Sequence, residues 1–274
     1  MIVFPHAKIN LGLSVLGRRP DGYHDIESVM VPIPLCDALE AVIDEELPPG
    51  SVVLGRSGRE VPGPVESDLC YRAAQAVLRD RRSPGVRMHL HKAIPMGAGL
   101  GGGSSDAAHV IMLLDDLLGF GMTQEARHDI AKSLGSDVPF FLGKGPRLAK
   151  GRGEILRSVA IDLSGLWLLV VNPGVHVSTA EVYQQCVPSG DVQDPVSVLK
   201  NEPLEVWQDL VLNDLEPYVL SAYPAVEALK KTIVSSGAAF CAMSGSGSTV
   251  FGLFREKPPE LAWPEGHQAW IFEL

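Results

Sequence analysis

From position 94 the chain reads IPMGAGLGGGSSDAAHVIML, and five glycines fall within the seven residues Gly97 to Gly103. Glycine loses more conformational freedom on folding than any other residue, so such a run is costly unless bare backbone is needed there. A flexible linker would not lead straight into an amphipathic segment, and this one does. Ala107, Val110, Ile111, Leu114, Leu117 and Leu118 recur at helical spacing, which predicts a helix from about Ser104 to Leu118. Before the loop, VRMHLHK (86–92) alternates with Val86, Met88 and Leu90 inward, the period of a strand. A glycine loop that enters a helix exposes backbone N–H groups and adds the positive end of the helix dipole. Together these make an anion site suited to phosphate. Ser104 and Ser105 can cap the helix or bond a phosphate oxygen or magnesium. Asp106 suits the dipole but would repel phosphate, so it is expected to point sideways.

The loop is not a Walker loop, because no lysine follows the glycines. Gly97-x-Gly99-x-x-Gly102 matches the dinucleotide fingerprint, but that fingerprint needs a parallel strand after the helix. Here a second helix is predicted instead, N-capped by Thr123 with Glu125 in its first turn, stopping at Gly135 with Pro139 beyond.

AKINLGLSV near the start alternates, with Ala7, Ile9, Leu11, Leu13 and Val15 on one face, and reads as a half-buried strand. A turn at Pro20-Asp21-Gly22 and another strand follow. Strands are expected within 39–54, near 147–149, over 155–161 and over 166–172, and helices over 68–81 and through most of 176–235. AAFCAMSGSGSTVFGLF near the end reads as a hairpin with a Gly/Ser turn. Strands and helices alternate irregularly, with hairpins, which points to an α+β fold. The boundary expected from this reading separates domains 1–155 and 156–274.

Among its 274 residues the chain carries a net charge of −10, which argues against nucleic acid as the main partner. A local anionic ligand is still allowed, since backbone amides, a lysine and a metal oppose the global field. The four cysteines are scattered, with no C-x-x-C, and read as free thiols in a reducing compartment. No signal peptide or membrane-length apolar run is apparent, so a cytoplasmic protein with no membrane partner is expected.

Some residues carry possible chemistry. Lys8 and Asn10 share the polar face of the first strand, where a lysine is either solvated or functional. Asp137, in GSDVPFF, is either a turn residue or an acid–base group. His89 and His91 share a strand face, but no third metal ligand is near in sequence.

PMGAGLGGGSSDAA resembles the second motif of the GHMP kinase superfamily, P-x-x-x-G-L-G-x-S-S-A-x. AKINLGLSVLGRRPDGYH is similar to the opening of the branch whose alcohol substrate, a methylerythritol, carries a cytidine diphosphate group. LGSDVPFFLGKGPRLAKGRGEIL (134–156) and MSGSGSTVFGLF (243–254) resemble its later motifs, in order along the chain. The resemblance implies the two-domain GHMP kinase fold. A ribosomal-protein-S5-like nucleotide-binding half comes first and a ferredoxin-like half second, with the site in the cleft between them. It implies ATP and Mg2+ as cofactors and phosphorylation of the 2-hydroxyl of the cytidylylated small molecule, in the non-mevalonate isoprenoid pathway.

Carried over residue by residue, Lys8 and Asp137 are the implied catalytic pair. Lys8 neutralises the phosphoryl group, or lowers the acceptor's pKa, and Asp137 takes the hydroxyl proton. Pro95, Met96, Gly97, Ala98, Gly99, Leu100, Gly101, Gly102, Gly103, Ser104 and Ser105 are implied to hold the ATP phosphates. Lys92 and the SDL at 67–69 are implied near the adenine. Many relatives have Asn where this chain has Asp68, which leaves the adenine contact there open. Asn10 is implied at the erythritol end, Tyr23, His24 and Tyr183 around the cytosine, Thr179 at the substrate, and Gly245 and Ser246 close to the phosphates.

Overall fold

A computed structural model describes residues 1–188 and 194–274. In chain order the first strands are β1 (Ile2–Val3), β2 (His6–Arg18), β3 (His24–Cys36), β4 (Ala38–Ile43) and β5 (Val52–Gly58). Then come α1 (Leu69–Leu78), β6 (Val86–Lys92), α2 (Gly102–Leu118), α3 (Gln124–Leu134), β7 (Arg147–Gly151), β8 (Ile155–Ser158) and β9 (Trp167–Asn172). The remainder is α4 (Thr179–Gln185), α5 (Pro195–Asn201), α6 (Trp207–Leu210), α7 (Glu216–Ala222), α8 (Pro224–Ser235), β10 (Phe240–Met243), β11 (Val250–Phe254) and β12 (Gln268–Glu273).

The chain divides into two compact units. One holds residues 1–7, 33–96 and 101–144; the other holds 8–32, 97–100 and 145–274. A single cut between 155 and 156 divides the sequence differently. β2, β3 and the glycine loop each begin in one unit and end in the other, so the units are not continuous in sequence.

The first unit carries a sheet in the order β1-β4-β6-β5, with β4 antiparallel and β5 parallel to β6. β6 alternates strictly: Val86, Met88, Leu90 and Lys92 are buried, and Arg87, His89 and His91 are exposed. α1 packs against β5 and α2 against β4, and their buried Ala73, Ala74, Val77, Val110, Ile111 and Leu114 add to the core. Burial of the Val, Ile and Leu side chains is worth about 1.5–3 kcal/mol each and helps to hold this layer together. α1 is capped by Asp68, whose side chain accepts from Cys70 N, and α3 by Thr123, which accepts from Ala126 N. α3 ends at Gly135.

The second unit carries two sheets, β2-β3-β7-β8 and β10-β11-β9-β12, with helices α4 to α8. The expected hairpin is β10 paired antiparallel with β11, from Phe240↔Leu253 to Met243↔Val250. One apolar cluster joins Leu13, Val15 and Ile26 to Val171, Val219, Ile233, Met243 and Val250.

Three local readings change. β2 is buried on both faces from Ala7 through Leu13, so it is not half-buried. α2 begins at Gly102, two residues before the expected start, because Gly101 serves as its N-cap in the left-handed region (φ 71°). β8 stops at Ser158. Among the described residues, no helix is long and apolar enough to cross a membrane.

Candidate active site

The polar face of β2 faces inward, with Lys8 and Asn10 both buried. Two residues on one face of a strand lie roughly 7 Å apart along the backbone, close enough for a long side chain to reach the other. The Lys8 ammonium donates to Asn10 Oδ1 at 2.6 Å and to the carbonyl of Gly99 at 2.8 Å. Ser244 Oγ, at the end of β10, donates to the same carbonyl at 2.8 Å. Asn10 Nδ2 in turn donates to Ser28 Oγ, which donates to the carbonyl of Gly12. A buried ammonium is tolerable only with such partners.

Gly99 explains part of the glycine run. Its φ is +77°, and a Cβ there would lie 1.9 Å from the Ser244 carbonyl oxygen. Only a bare Cα fits. Of the other loop residues, Pro95, Ala98 and Leu100 bury their side chains and offer main chain alone, while Met96 and Gly97 are exposed. Ser105 N closes the first helical bond to Gly101 O at 2.9 Å. The amides of Gly102, Gly103 and Ser104 therefore have no acceptor inside the helix.

Ser104 and Ser105 do not cap the helix; they stand in its first turn. Ser105 is fully buried, its hydroxyl 3.4 Å from His109 Nδ1, which leaves half-buried Ser104 as the hydroxyl open to a ligand. Asp106 does point sideways: its Oδ2 accepts from Lys92 Nζ at 2.7 Å.

Lys92, which the resemblance implies near the adenine, has its ammonium buried between Asp37 and Asp106. Burial works against its charge, but the two carboxylates prevail and raise its pKa. Burial pushes the Asp106 carboxyl upward, against the pull of Lys92. The charge of Lys92 is thus balanced inside the protein by Asp37 and Asp106. Asp68 caps α1 and meets Arg56 at 3.4 Å.

In the second unit, the His24 and Tyr183 rings stack with centroids 5.2 Å apart and 23° between planes. Tyr23 is half-exposed, with the Arg152 guanidinium 4.8 Å from its ring centre. Thr179 opens α4, and its hydroxyl lies 2.8 Å from Ser246 Oγ. Gly245 sits in the β10–β11 turn, where Asn213 Nδ2 donates to the carbonyls of Gly245 (2.8 Å) and Met243 (2.9 Å).

In the first unit, half-buried Asp137 follows α3 and begins a short 3-10 turn over Val138–Leu142, without a capping bond from its side chain. His89 Nε2 and His91 Nδ1 both meet Ser57 Oγ, at 2.8 and 3.0 Å.

The sequence reading missed Asp37, Ser244, Ser28, Asn213 and Arg152. Ser244 lies inside the MSGSGS motif and could have been included. Arg152 lies inside the 134–156 motif segment and could have been included as well, whereas Asp37, Ser28 and Asn213 have no local pattern that marks them.

The N-terminal domain model of GHMP kinases matches residues 68–145, and the C-terminal model matches 198–267. The chain is 44% identical, over 94% of both chains, to the 4-diphosphocytidyl-2-C-methyl-D-erythritol kinase of Cytophaga hutchinsonii. The chain belongs to this family of GHMP kinases. The same-named protein of Citrifermentans bemidjiense is also 44% identical, over 92% of this chain and 88% of that one. A crystal structure of 4-(cytidine 5'-diphospho)-2C-methyl-D-erythritol kinase superposes with a TM-score of 0.74 at 34% identity, covering 92% and 90% of the two chains. The homoserine kinase of Cytophaga hutchinsonii shares the fold, with a TM-score of 0.68 at 16% identity over 97% and 93% of the chains. The α+β two-domain GHMP kinase fold expected from the motifs is the fold observed. The dinucleotide reading falls away in this GHMP kinase, since α3 and not a parallel strand follows α2.

Proposed function

We propose that this GHMP kinase transfers the γ-phosphoryl group of ATP to the 2-hydroxyl of 4-(cytidine 5'-diphospho)-2-C-methyl-D-erythritol, a step of the non-mevalonate isoprenoid pathway. The structural observation that carries the reading is the bond from the Lys8 ammonium to the carbonyl of Gly99, which sets a cation on the glycine loop. Such a transfer needs positioning and charge neutralisation more than covalent chemistry. The amides of Gly97 to Ser104 would grip the phosphates. Lys8 would meet the charge that develops on the three equatorial oxygens.

In the step, the bond from the γ-phosphorus to the ADP oxygen breaks and a bond to the substrate's hydroxyl oxygen forms. The Asp137 carboxylate would take the hydroxyl proton. Asn10 would orient the erythritol end. Tyr23, His24 and Tyr183 would hold the cytosine, since stacking on aromatic faces selects a flat base. Thr179, Gly245 and Ser246 would line the substrate's path to the phosphates.

Mg2+ belongs to the same proposal. Among the described residues, no group of three or more His, Cys, Asp or Glu side chains gathers to hold a metal. Asp106 Oδ1 is buried without a partner, but its sister oxygen faces the Lys92 ammonium, a poor setting for a second cation. These residues fit an ion carried on nucleotide oxygens, with the Ser104 hydroxyl as the open protein group. When bound, it would neutralise phosphate charge. ADP release measured with the cytidylylated acceptor, and with methylerythritol lacking the cytidylyl group, tests the reading. Release only with the former is expected, and equal use of both would overturn it.

A further inference from the structure

We propose that the buried cluster Asp37–Lys92–Asp106 positions the nucleotide loop by tying its two stems together, with Asp37 as the residue on which both depend. The proposal rests on the reading of residues 97–104 as the ATP phosphate loop, and deepens it.

The incoming stem is Ala93 and Ile94, directly after β6. Asp37, in the turn between β3 and β4, accepts both of their amides on Oδ1, at 2.5 and 2.8 Å. Its Oδ2 takes the Lys92 ammonium. The outgoing stem is the start of α2. There Asp106, four residues after Gly102, takes the same ammonium at 2.7 Å. The stems also touch directly. A Cβ on Gly102 would meet Ile94 Cγ2 at 2.9 Å and Lys92 Nζ at 3.2 Å. One cation thus fixes the first free amides of α2 relative to the end of β6.

All three charged side chains are at most 2% exposed. A buried ion pair is a poor way to gain stability, because desolvation offsets the attraction and apolar replacements often do as well. What such a cluster supplies is a defined geometry. Preorganised loop amides raise affinity by removing the ordering cost of binding. The lysine acts through the loop, and Asp37 and Asp106 are positioning residues.

The test compares wild type, Asp37→Ala and Asp37→Asn in the full chain. Kinetics are measured with ATP and the cytidylylated acceptor varied separately, at a temperature where circular dichroism shows each protein folded. Asp37→Ala removes the acceptor of both amides and half of the Lys92 pairing. The KM for ATP should rise tenfold or more, with the acceptor's KM within twofold of wild type. Asp37→Asn keeps the amide acceptor and loses the charge, so it should recover most of the affinity and leave an ATP KM about threefold above wild type. A folded Asp37→Ala with unchanged ATP KM, or equal rises in both KM values, overturns the proposal. If Asp37→Ala does not fold, Asp37→Asn decides: a raised ATP KM alone supports it, and an unchanged one overturns it. A wild type that transfers no phosphoryl group from ATP would instead refute the kinase reading on which the proposal rests.

Discussion

Lys8 and Gly99 are 91 positions apart in the chain, yet the lysine ammonium lies 2.8 Å from the glycine carbonyl. That bond brings the first long strand's cation to the glycine loop. Replacing Lys8 with Ala should lower kcat by about a hundredfold or more, the usual cost of losing one preorganised group that meets transition-state charge. ATP binding, followed with a non-hydrolysable analogue, should change far less. A near-normal kcat would remove Lys8 from the chemistry.

Asp137→Asn keeps the shape of the side chain and removes its ability to take a proton. Turnover should drop by about 10²–10⁴-fold, with KM for ATP little changed. Single-turnover kinetics would separate this from slow product release.

Tyr183→Ala should act on binding. A lost base stack of about 1–3 kcal/mol predicts a rise of roughly 5- to 150-fold in KM for the cytidylylated acceptor. Stacking is present in the ground and transition states alike, so kcat should hold. A fall in kcat at constant KM would contradict the role given to this ring.

Gly99→Ala puts a methyl group where the Ser244 carbonyl already stands, at a backbone angle that disfavours any side chain. A stability loss of about 1–3 kcal/mol or more is expected in urea unfolding. A rise in KM for ATP should accompany it.

His109 gives a pH dependence. Burial lowers its pKa below the ordinary 6.5, a bond to the Ser105 carbonyl opposes this, and nearby His6 adds to it. The folded protein keeps this imidazole neutral while the unfolded chain takes a proton. Its contribution to stability is therefore complete above pH 6.5 and is lost as pH falls from there toward the lowered folded pKa. Between pH 7.5 and 5.5 the urea midpoint of the wild type should fall further than that of His109→Gln. Equal falls would assign the acid sensitivity elsewhere.

The strand–loop–helix unit was legible in the sequence because glycine density and hydrophobic period are local signals. The same period marks Lys92, which falls in phase with inward-facing Val86, Met88 and Leu90. Its burial could thus be read beforehand, although its partners could not. Asp37 looks like any aspartate in a turn, and only tertiary contact with residues 92–94 gives it meaning. The burial of Lys8 and Asn10 was hidden for the same reason. It depends on Gly99 and on Ser244, whose hydroxyl accepts from Asn10 N across 234 positions. Early cap signals failed at α2, where the serines suggested an N-cap and Gly101 takes that place by its left-handed backbone.

The most direct measurement of the central claim is phosphorus NMR of the product formed from ATP and the cytidylylated methylerythritol. A new phosphomonoester on the 2-hydroxyl, formed together with ADP and absent when the cytidylyl group is missing, is the predicted result. ATP left intact beside the correct acceptor, or an uncytidylated alcohol phosphorylated equally well, would contradict the account.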